Sequence, residues 1–390
     1  MIQSILDNDL YKFTMQQAVH ALYPRAEVRY EFINRNDTVF PDGFSEQLQH
    51  LVDNMAELRV SPEELHYLKN TCYFLTPVYL DFLSHFRYSP DNVVIKQSDG
   101  ILSVSIHGPW YKSILWEVPL LALISELYYS IMTPETLSRE QMRLRNVEKG
   151  IQLKKAGVDF AEFGTRRRFS ADVQEHVIAD LLSIENNTMI GTSNVFWAMK
   201  YGIKPIGTHA HEWFMFHAAE HGYKRANMAA IDAWSTVFQG HLGIALTDTY
   251  TTDHFLQSFD AIKARLFDGV RQDSGDPYVF IDKLVAHYQK LRINPLTKTI
   301  VFSDGLDADR AVSIKEYCRG KINASFGLGT NLSNDIGPTP LNIVIKLSSC
   351  RRNSETYWMP MVKLSDALDK HTGETDEIEL CLRIIQRSSQ

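Results

Sequence analysis

Leu10, Phe13, Met15, Val19 and Leu22 recur at helical spacing before Pro24, which predicts a helix over residues 9–22. The period then shortens to two: Glu27-Val28-Arg29-Tyr30-Glu31-Phe32 alternates as a half-buried strand does. Ser61-Pro62-Glu63-Glu64 is a capping box with proline at the first helical position, so a helix begins there. Residues 93–96 and 102–106, separated by Ser98-Asp99-Gly100, read as a hairpin. Helical patterns follow from Glu117 and over 138–156. Residues 1–150 are expected to form a mixed α+β cap domain.

A different rhythm begins at Val158. Short apolar runs at 158–163, 188–191, 205–207, 243–246, 269–270, 299–302 and 322–326 each precede a helix-like stretch, among them 170–184, 195–201, 255–267, 276–291 and 307–318. Successive βα units imply a parallel sheet. The expected fold class is α/β: an irregular TIM-like barrel of parallel βα units over 151–340, plus an α+β domain. Two strand-like segments, 343–347 and 357–364, are expected to bring 341–390 back to the N-terminal part, because a lone strand pair is marginal.

The polar residues fall after the strands. Glu162-Phe163-Gly164-Thr165-Arg166-Arg167-Arg168 is followed in turn by Gly191-Thr192-Ser193-Asn194, Gly207-Thr208-His209-Ala210-His211-Glu212 and Thr247-Asp248-Thr249-Tyr250. Then come Arg271-Gln272-Asp273-Ser274-Gly275-Asp276, Ser303-Asp304-Gly305 and Gly327-Leu328-Gly329-Thr330-Asn331. In parallel α/β folds these strand ends converge on the face that carries the active site. Arg166–168 and Arg271 suit bidentate binding of phosphate or carboxylate, although the arginine run is equally a solvated stretch. The glycines of the last two segments offer backbone N–H groups to a phosphate, or simply make turns. Asp273 and Asp276 can hold sugar hydroxyls or magnesium, while Asp276 before Pro277 is also a helix cap.

The whole-chain numbers narrow this. Forty basic residues against 47 acidic ones give a net charge of −7, with 44% hydrophobic and 22% charged residues. That excludes disorder and a broad nucleic-acid surface, and it confines anion binding to local positive pockets at the strand ends. The four cysteines, Cys72, Cys318, Cys350 and Cys381, form no CxxC pair and read as free thiols of a reducing compartment. No secretory signal and no stretch of about 18 uninterrupted apolar residues is present, so a cytoplasmic protein without a membrane span is expected. No GxxxxGK[ST] loop occurs. His209-x-His211 at a strand end leaves a barrel metallohydrolase open, and His217-Ala218-Ala219-Glu220-His221 matches the HxxEH peptidase pattern. Packed or solvated histidines explain the second motif equally well. A non-catalytic metabolite-binding protein is a third class.

In order and spacing, these words resemble the nicotinate phosphoribosyltransferases, of the type II phosphoribosyltransferase family, over nearly the full length. The resemblance also rests on Asp9-Leu10-Tyr11-Lys12-Phe13-Thr14-Met15, Ala210-His211-Glu212-Trp213 and Val362-Lys363-Leu364-Ser365. It implies transfer of the 5-phosphoribosyl group from phosphoribosyl pyrophosphate to nicotinate, giving nicotinate mononucleotide and pyrophosphate in NAD biosynthesis. It also implies coupling to ATP hydrolysis through a phosphohistidine at His211, with Arg271 and Asp273 as catalytic partners. Nicotinate contacts fall on Tyr11, Ser193, Thr208 and Arg271. Phosphoribosyl pyrophosphate contacts fall on Arg166, Asp276, Ser303, Asp304, Gly305, Gly327, Gly329 and Thr330. Magnesium accompanies the phosphates, no metal is held tightly, and a homodimer is expected. Related nicotinamide enzymes carry an acidic residue at the place of Ser193, which would repel nicotinate. The chain departs from the family pattern in having His209 beside His211, and Ala367-Leu368-Asp369-Lys370 in place of a Pro-Gly-Lys.

Overall fold

β-Branched and aromatic runs become strands, and the turn residues between them become caps. A computed structural model describes residues 1–367 and 370–387. Among these, eleven strands run in chain order: β1 (Glu27–Asn34), β2 (Val93–Ser98), β3 (Ile101–Pro109), β4 (Phe160–Glu162), β5 (Met189–Thr192), β6 (Ile244–Leu246), β7 (Gly269–Gln272), β8 (Thr299–Phe302), β9 (Asn323–Leu328), β10 (Ile343–Arg351) and β11 (Met359–Pro360). The chain is α/β, with six parallel strands and a separate antiparallel sheet.

The described residues divide into two units, each discontinuous in sequence: Met1–Gly207 with Leu328–Leu347, and Thr208–Gly327 with Ser348 onward. In the first unit the antiparallel order is β10-β1-β3-β2. Its strands alternate strictly: Val28, Tyr30, Leu102, Val104 and Ile106 are buried, whereas Arg29, Glu31, Ser103 and Ser105 face outward. Arg35 N–H donates to the Asn342 carbonyl at 2.9 Å, so a late segment does close on the first strand as expected. The continuous helical run Trp110–Met132 is long and apolar enough to cross a membrane, but 78% of it is buried within the protein, which makes it a core helix. Within it Ser125 and Glu126 break the apolar run, and both bind Arg168: the Ser125 hydroxyl donates to the Arg168 carbonyl and Glu126 Oε1 accepts from Arg168 Nε, each at 2.8 Å. β4 and β5 pair in parallel in the same unit.

The second unit carries β6 to β9 in parallel register, with Ala245 opposite Val270, Val270 opposite Ile300 and Ile300 opposite Ala324. Gly269 is required there, since a Cβ would lie 1.8 Å from the Thr299 carbonyl oxygen. Most predicted helices appear with their caps: Ser170, Asp276 and Asp307 each accept from backbone N–H groups of the following first turn. Three expectations are corrected. Residues 205–207 form only a single bridge, Thr192 to Pro205, because Gly207 ends the extension. The helix expected over 255–267 is two, Thr252–Ser258 and Ala261–Leu266, since the Asp260 side chain caps the second. Of 357–364 only Met359–Pro360 is strand, and the amphipathic helix Thr375–Gln386 follows it.

The first unit is organised by a buried guanidinium. Arg168 is fully buried and donates to both oxygens of Asp7 at 2.8 and 2.9 Å, to Glu126 Oε1 at 2.8 Å and to Gln174 Oε1 at 3.0 Å. Burial opposes its charge, but Asp7 and Glu126 outweigh burial and raise its pKa. Arg168→Met, which keeps volume but strands two carboxylates, is expected to destabilise the fold by roughly 3–5 kcal/mol, read as a lower urea midpoint. A loss below about 1 kcal/mol would show that this network does not hold the unit together.

Candidate active site

In the second unit the strand-end segments meet at His211. This residue opens the helix His211–His221, and its ring lies between two others: Nδ1 is 3.0 Å from Thr249 Oγ1 and Nε2 is 3.0 Å from Asp273 Oδ2. Burial works against ionisation of Asp273, yet Arg271 and then His211 overcome it and hold the carboxyl well below its usual range. An ionised carboxylate only accepts, so Nε2 carries the imidazole proton and Nδ1 keeps its lone pair toward the Thr249 hydroxyl. The imidazole is neutral at physiological pH, because burial and then Lys363 push its pKa down to about 4.

Arg271, on β7, is fixed on one edge. It donates from Nη2 to Asp273 Oδ1 at 2.7 Å and from Nε to Ser303 Oγ at 2.8 Å, while Ser303 donates to Asp273 Oδ1 at 2.8 Å. Asp304 is engaged by the Lys370 ammonium. Thr208 donates to the Ile244 carbonyl at 3.0 Å. Asp276 caps the helix Pro277–Lys290 through the Tyr278 and Val279 N–H groups, at 2.7 and 3.1 Å, and is exposed. Both of these bonds go to its own helix and away from the His211 cluster, so the capping alternative describes it. Gly305 lies three residues past the end of β8 and Gly327 is the penultimate residue of β9, both without side-chain chemistry of their own.

The first unit holds the remaining candidates. Tyr11 lies in the first turn of the helix Leu10–Leu22. Ser193 donates to Asp9 Oδ1 at 2.7 Å, so a carboxyl group does stand at the Ser193 position, supplied from the chain's beginning. Burial raises the pKa of Asp9. Arg166 is exposed and faces Glu117 Oε1 at 3.4 Å, a carboxylate that also pairs with the buried Lys12. Burial opposes the ionisation of Glu117, but Lys12 and Arg166 overcome it and lower its pKa. The half-buried Arg167 has Arg166 and Arg35 for neighbours, which with burial bring its pKa down to about 10. Gly329 precedes the single turn Thr330–Ser333.

Three residues at the cluster carried no role in the sequence reading. Asp248, at the end of the predicted strand 243–246, lies 3.9 Å from His211 Nε2 and accepts from Ser274 Oγ. Thr249 follows it. Lys363 is 4% exposed, and Leu364 N–H donates to the Thr249 carbonyl at 2.8 Å, which ties the Lys363 segment to the cluster. Their signal was position after a strand for the first two and the Lys-Leu-Ser word for the third. The site is therefore not simply electropositive. Asp248, Asp273 and Asp304 stand against Arg271, Lys363 and Lys370. Of the departure at 367–370, Leu368 and Asp369 lie outside the described residues.

Among the described residues, His211, Asp248 and Asp273 form the one group able to hold a metal ion. Asp248 Oδ1 is buried and has no hydrogen-bond partner, which suits an oxygen-seeking cation such as magnesium. The pairing of His209 with His211 fails. His209 is buried against Trp234 and Phe214, at ring distances of 4.6 and 5.3 Å, and its Nε2 accepts from Leu246 N–H at 3.3 Å. Burial takes its pKa to about 3. The HxxEH motif is structural too: His217 Nδ1 donates to the Trp213 carbonyl at 2.6 Å, and Glu220 pairs with Arg352 at 3.2 Å.

Two family models cover most of the chain: the nicotinate phosphoribosyltransferase (NAPRTase) family over residues 158–384 and the NAPRTase N-terminal domain over 6–125. A nicotinate phosphoribosyltransferase of Desulforapulum autotrophicum is 58% identical over 387 residues, covering 99% of this chain and 100% of the relative. One from Methanosarcina mazei is 44% identical over 411 residues and covers 99% of each chain. The crystal structure of nicotinate phosphoribosyltransferase from Porphyromonas gingivalis matches with a TM-score of 0.97 at 43% identity, over 99% of this chain and 100% of that one. That from Vibrio cholerae matches with a TM-score of 0.91 at 36% identity, over 99% and 94%. The chain belongs to the nicotinate phosphoribosyltransferase family.

Proposed function

We propose that this chain transfers the 5-phosphoribosyl group from phosphoribosyl pyrophosphate to the ring nitrogen of nicotinate and couples that transfer to ATP hydrolysis through His211. The observation that carries the reading is the His211 imidazole, neutral, 12% exposed and held at Nε2 by the ionised Asp273. Family membership supplies the reaction, and this geometry supplies a nucleophile of the right kind.

In the coupling step the Nδ1 lone pair, released from Thr249, attacks the γ-phosphorus of ATP. The N–P bond forms as the bond to the leaving ADP oxygen breaks. Asp273 keeps the Nε2 proton and stabilises the positive charge that the ring acquires, as an orienting carboxylate does for a catalytic histidine. Hydrolysis later returns phosphate and the neutral ring. In the transfer step the C1–O bond to pyrophosphate lengthens and an oxocarbenium-like sugar meets the pyridine nitrogen, so positioning and charge stabilisation count for more than a strong base.

Arg271, fixed through Nε and Nη2, offers its other N–H groups to the nicotinate carboxylate, and the Tyr11 ring supplies an aromatic face. Arg166, Ser303, Asp304, Gly305, Gly327, Gly329 and Thr330 remain the proposed contacts to phosphoribosyl pyrophosphate. Asp276 stands in that set only through its position after Asp273. Asp248 and Asp273 would hold a magnesium ion that arrives with the phosphates. When bound, magnesium neutralises phosphate charge and eases departure of pyrophosphate. Four buried, unpaired cysteines support a cytoplasmic setting, and a homodimer is carried over from the family resemblance.

His211→Ala is expected to abolish ATP stimulation and acid-labile labelling from γ-labelled ATP, while slow ATP-independent formation of nicotinate mononucleotide persists. Unchanged labelling would move the phosphate elsewhere. Arg271→Lys should raise KM for nicotinate about 10- to 100-fold, because a bidentate charged contact is lost, with a smaller effect on nicotinamide in the same assay. Equal losses for acid and amide would remove Arg271 from carboxylate recognition. Chelation should stop turnover and added magnesium restore it. About one firmly held zinc per chain in elemental analysis would instead favour a metallohydrolase.

A further inference from the structure

Glu162 is a buried carboxylate that the mechanism above does not use. It is the last residue of β4, is fully buried, and among the described residues receives hydrogen bonds only from neutral donors. Gly164 N–H donates to Oε1 at 2.6 Å, the Thr192 hydroxyl donates to Oε2 at 2.7 Å, and Gln174 Nε2 lies 3.1 and 3.0 Å from the two oxygens. A further bond runs from Ser193 N–H to the Glu162 carbonyl at 2.9 Å. The Gln174 amide cannot turn over, because its oxygen accepts from Arg168 at 3.0 Å and from Trp197 Nε1 at 3.1 Å. It therefore relays the Arg168 charge to Glu162 without contact between the two.

These bonds have a common result. Gly164 opens the loop that carries Arg166, and Thr192 precedes Ser193. The packing at Gly164 admits no side chain, since a Cβ there would stand 2.0 Å from Ser333 Oγ and 2.7 Å from Glu162 Oε1. We propose that Glu162 is a positioning residue whose ionised carboxylate clamps the Arg166 loop to the Ser193 loop, so that both substrate-contacting segments are set only while Glu162 is charged. This rests on the reading of Arg166 and Ser193 given above.

The clamp is acceptor-only by construction. Protonation at Oε1 would turn a donor on the Gly164 N–H and the Gln174 amide, neither of which accepts there; at Oε2 it can be met only if the Thr192 hydroxyl, which also accepts from Asn194 N–H at 3.1 Å, reverses and gives up its own bond to Glu162. The pKa of Glu162 is raised to about 7, by burial above all, with Asp9 adding to it against the donors. Charged groups around it are few. The chain's beginning contributes Asp7, which binds Asn194, and Asp9, which binds Ser193; the 163–168 loop contributes Arg166 and Arg168; the helix Glu117–Met132 contributes Glu126 behind Arg168. Helix Ala171–Leu182, β5 and the turn Thr330–Ser333 face it with the neutral Gln174, Thr192 and Ser333.

Stability and function then respond to acid in opposite senses. A carboxyl whose folded pKa lies above its unfolded value contributes stability that is complete below the unfolded pKa and is lost as pH rises through about 7. Acidification through about 7 therefore does not weaken the fold on account of Glu162, while it releases the two loops. Glu162→Gln keeps the shape, removes the charge and places a donor among donors.

The test compares wild type, Glu162→Gln and Glu162→Asp between about pH 6 and 8.5 by steady-state kinetics, thermal melting and amide hydrogen exchange. In wild type, KM for nicotinate and for phosphoribosyl pyrophosphate should rise as pH falls through about 7. In Glu162→Gln both should be raised by about tenfold at every pH, with kcat changed less, no such pH limb, and a melting temperature equal to or above wild type. Glu162→Asp should retain the limb. Exchange in the 163–168 and 192–195 segments, corrected for intrinsic rates, should be faster in wild type below pH 7 and in Glu162→Gln throughout. Wild-type KM and exchange in Glu162→Gln would overturn the proposal, as would parallel losses of melting temperature and activity with an unchanged pH profile. Should wild type form no nicotinate mononucleotide, the substrate reading falls, and the exchange data alone decide whether Glu162 clamps the loops.

Discussion

Burial sets the terms for every polar group that matters here. A charge removed from water either meets a compensating partner or gives up its ionisation. Burial opposes the charge on Asp273, on Glu117 and on Arg168, and in all three a contact with opposite charge overturns it: Arg271, helped by the His211 hydrogen bond, then Lys12 and Arg166, then Asp7 and Glu126. Where no such contact exists, burial prevails. His209 packs against aromatic rings and becomes neutral. Glu162 meets only neutral dipoles and is left near the midpoint of its titration. Function can be placed on either kind of group, but a fixed charge belongs to the first kind and a switchable one to the second.

Much of the fold was legible because the hydrophobic period and the caps agree. Ser61, Ser170, Asp276 and Asp307 each announce a helix by a side chain that satisfies backbone donors, and each helix begins where its cap stands. The failures have equally local causes. Residues 255–267 keep a helical period across Phe259-Asp260, yet the Asp260 carboxylate captures the Ile262 and Lys263 N–H groups and starts a new helix. The helix Thr375–Gln386 lacks a side-chain cap, and it lies beyond two segments that read as strands. Residues 205–207 are apolar but too short to outweigh the glycine that ends them.

The site was legible as a set of strand ends and illegible as a set of contacts. Position after a strand picked out His211, Arg271, Asp273 and Ser303, which the fold does bring together. It could not separate them from Asp276, three residues beyond Asp273, whose carboxylate turns to the backbone instead. Nor could it show that Asp9, far away in sequence, reaches Ser193. The acidic residue that the substitution at position 193 seemed to remove is supplied by another segment. Discrimination between nicotinate and its amide therefore cannot rest on the absence of a carboxyl group there. On the proposed reading it rests on a cation such as Arg271 and on the protonation of Asp9, which burial favours.

The balance of charge around His211 has a mechanistic consequence. The net charge of −7 suggested an electropositive pocket, but three carboxylates in fact answer three cations. Two of the three are already occupied: Arg271 by Asp273 and Ser303, Lys370 by Asp304. A phosphate entering such a site exchanges partners and does not fill a void, so the net gain from each contact is small even where the gross attraction is large. A strongly positive cavity would bind reactants and pyrophosphate product alike, and uniform binding of that kind does not speed the chemical step. Carboxylates that hold the cations in reserve moderate binding of the resting phosphates. On the proposed reading they leave the full attraction for the moment when charge moves onto the leaving pyrophosphate or onto the phosphorylated imidazole. On this view the acidic residues of the site are part of its means of handling anions.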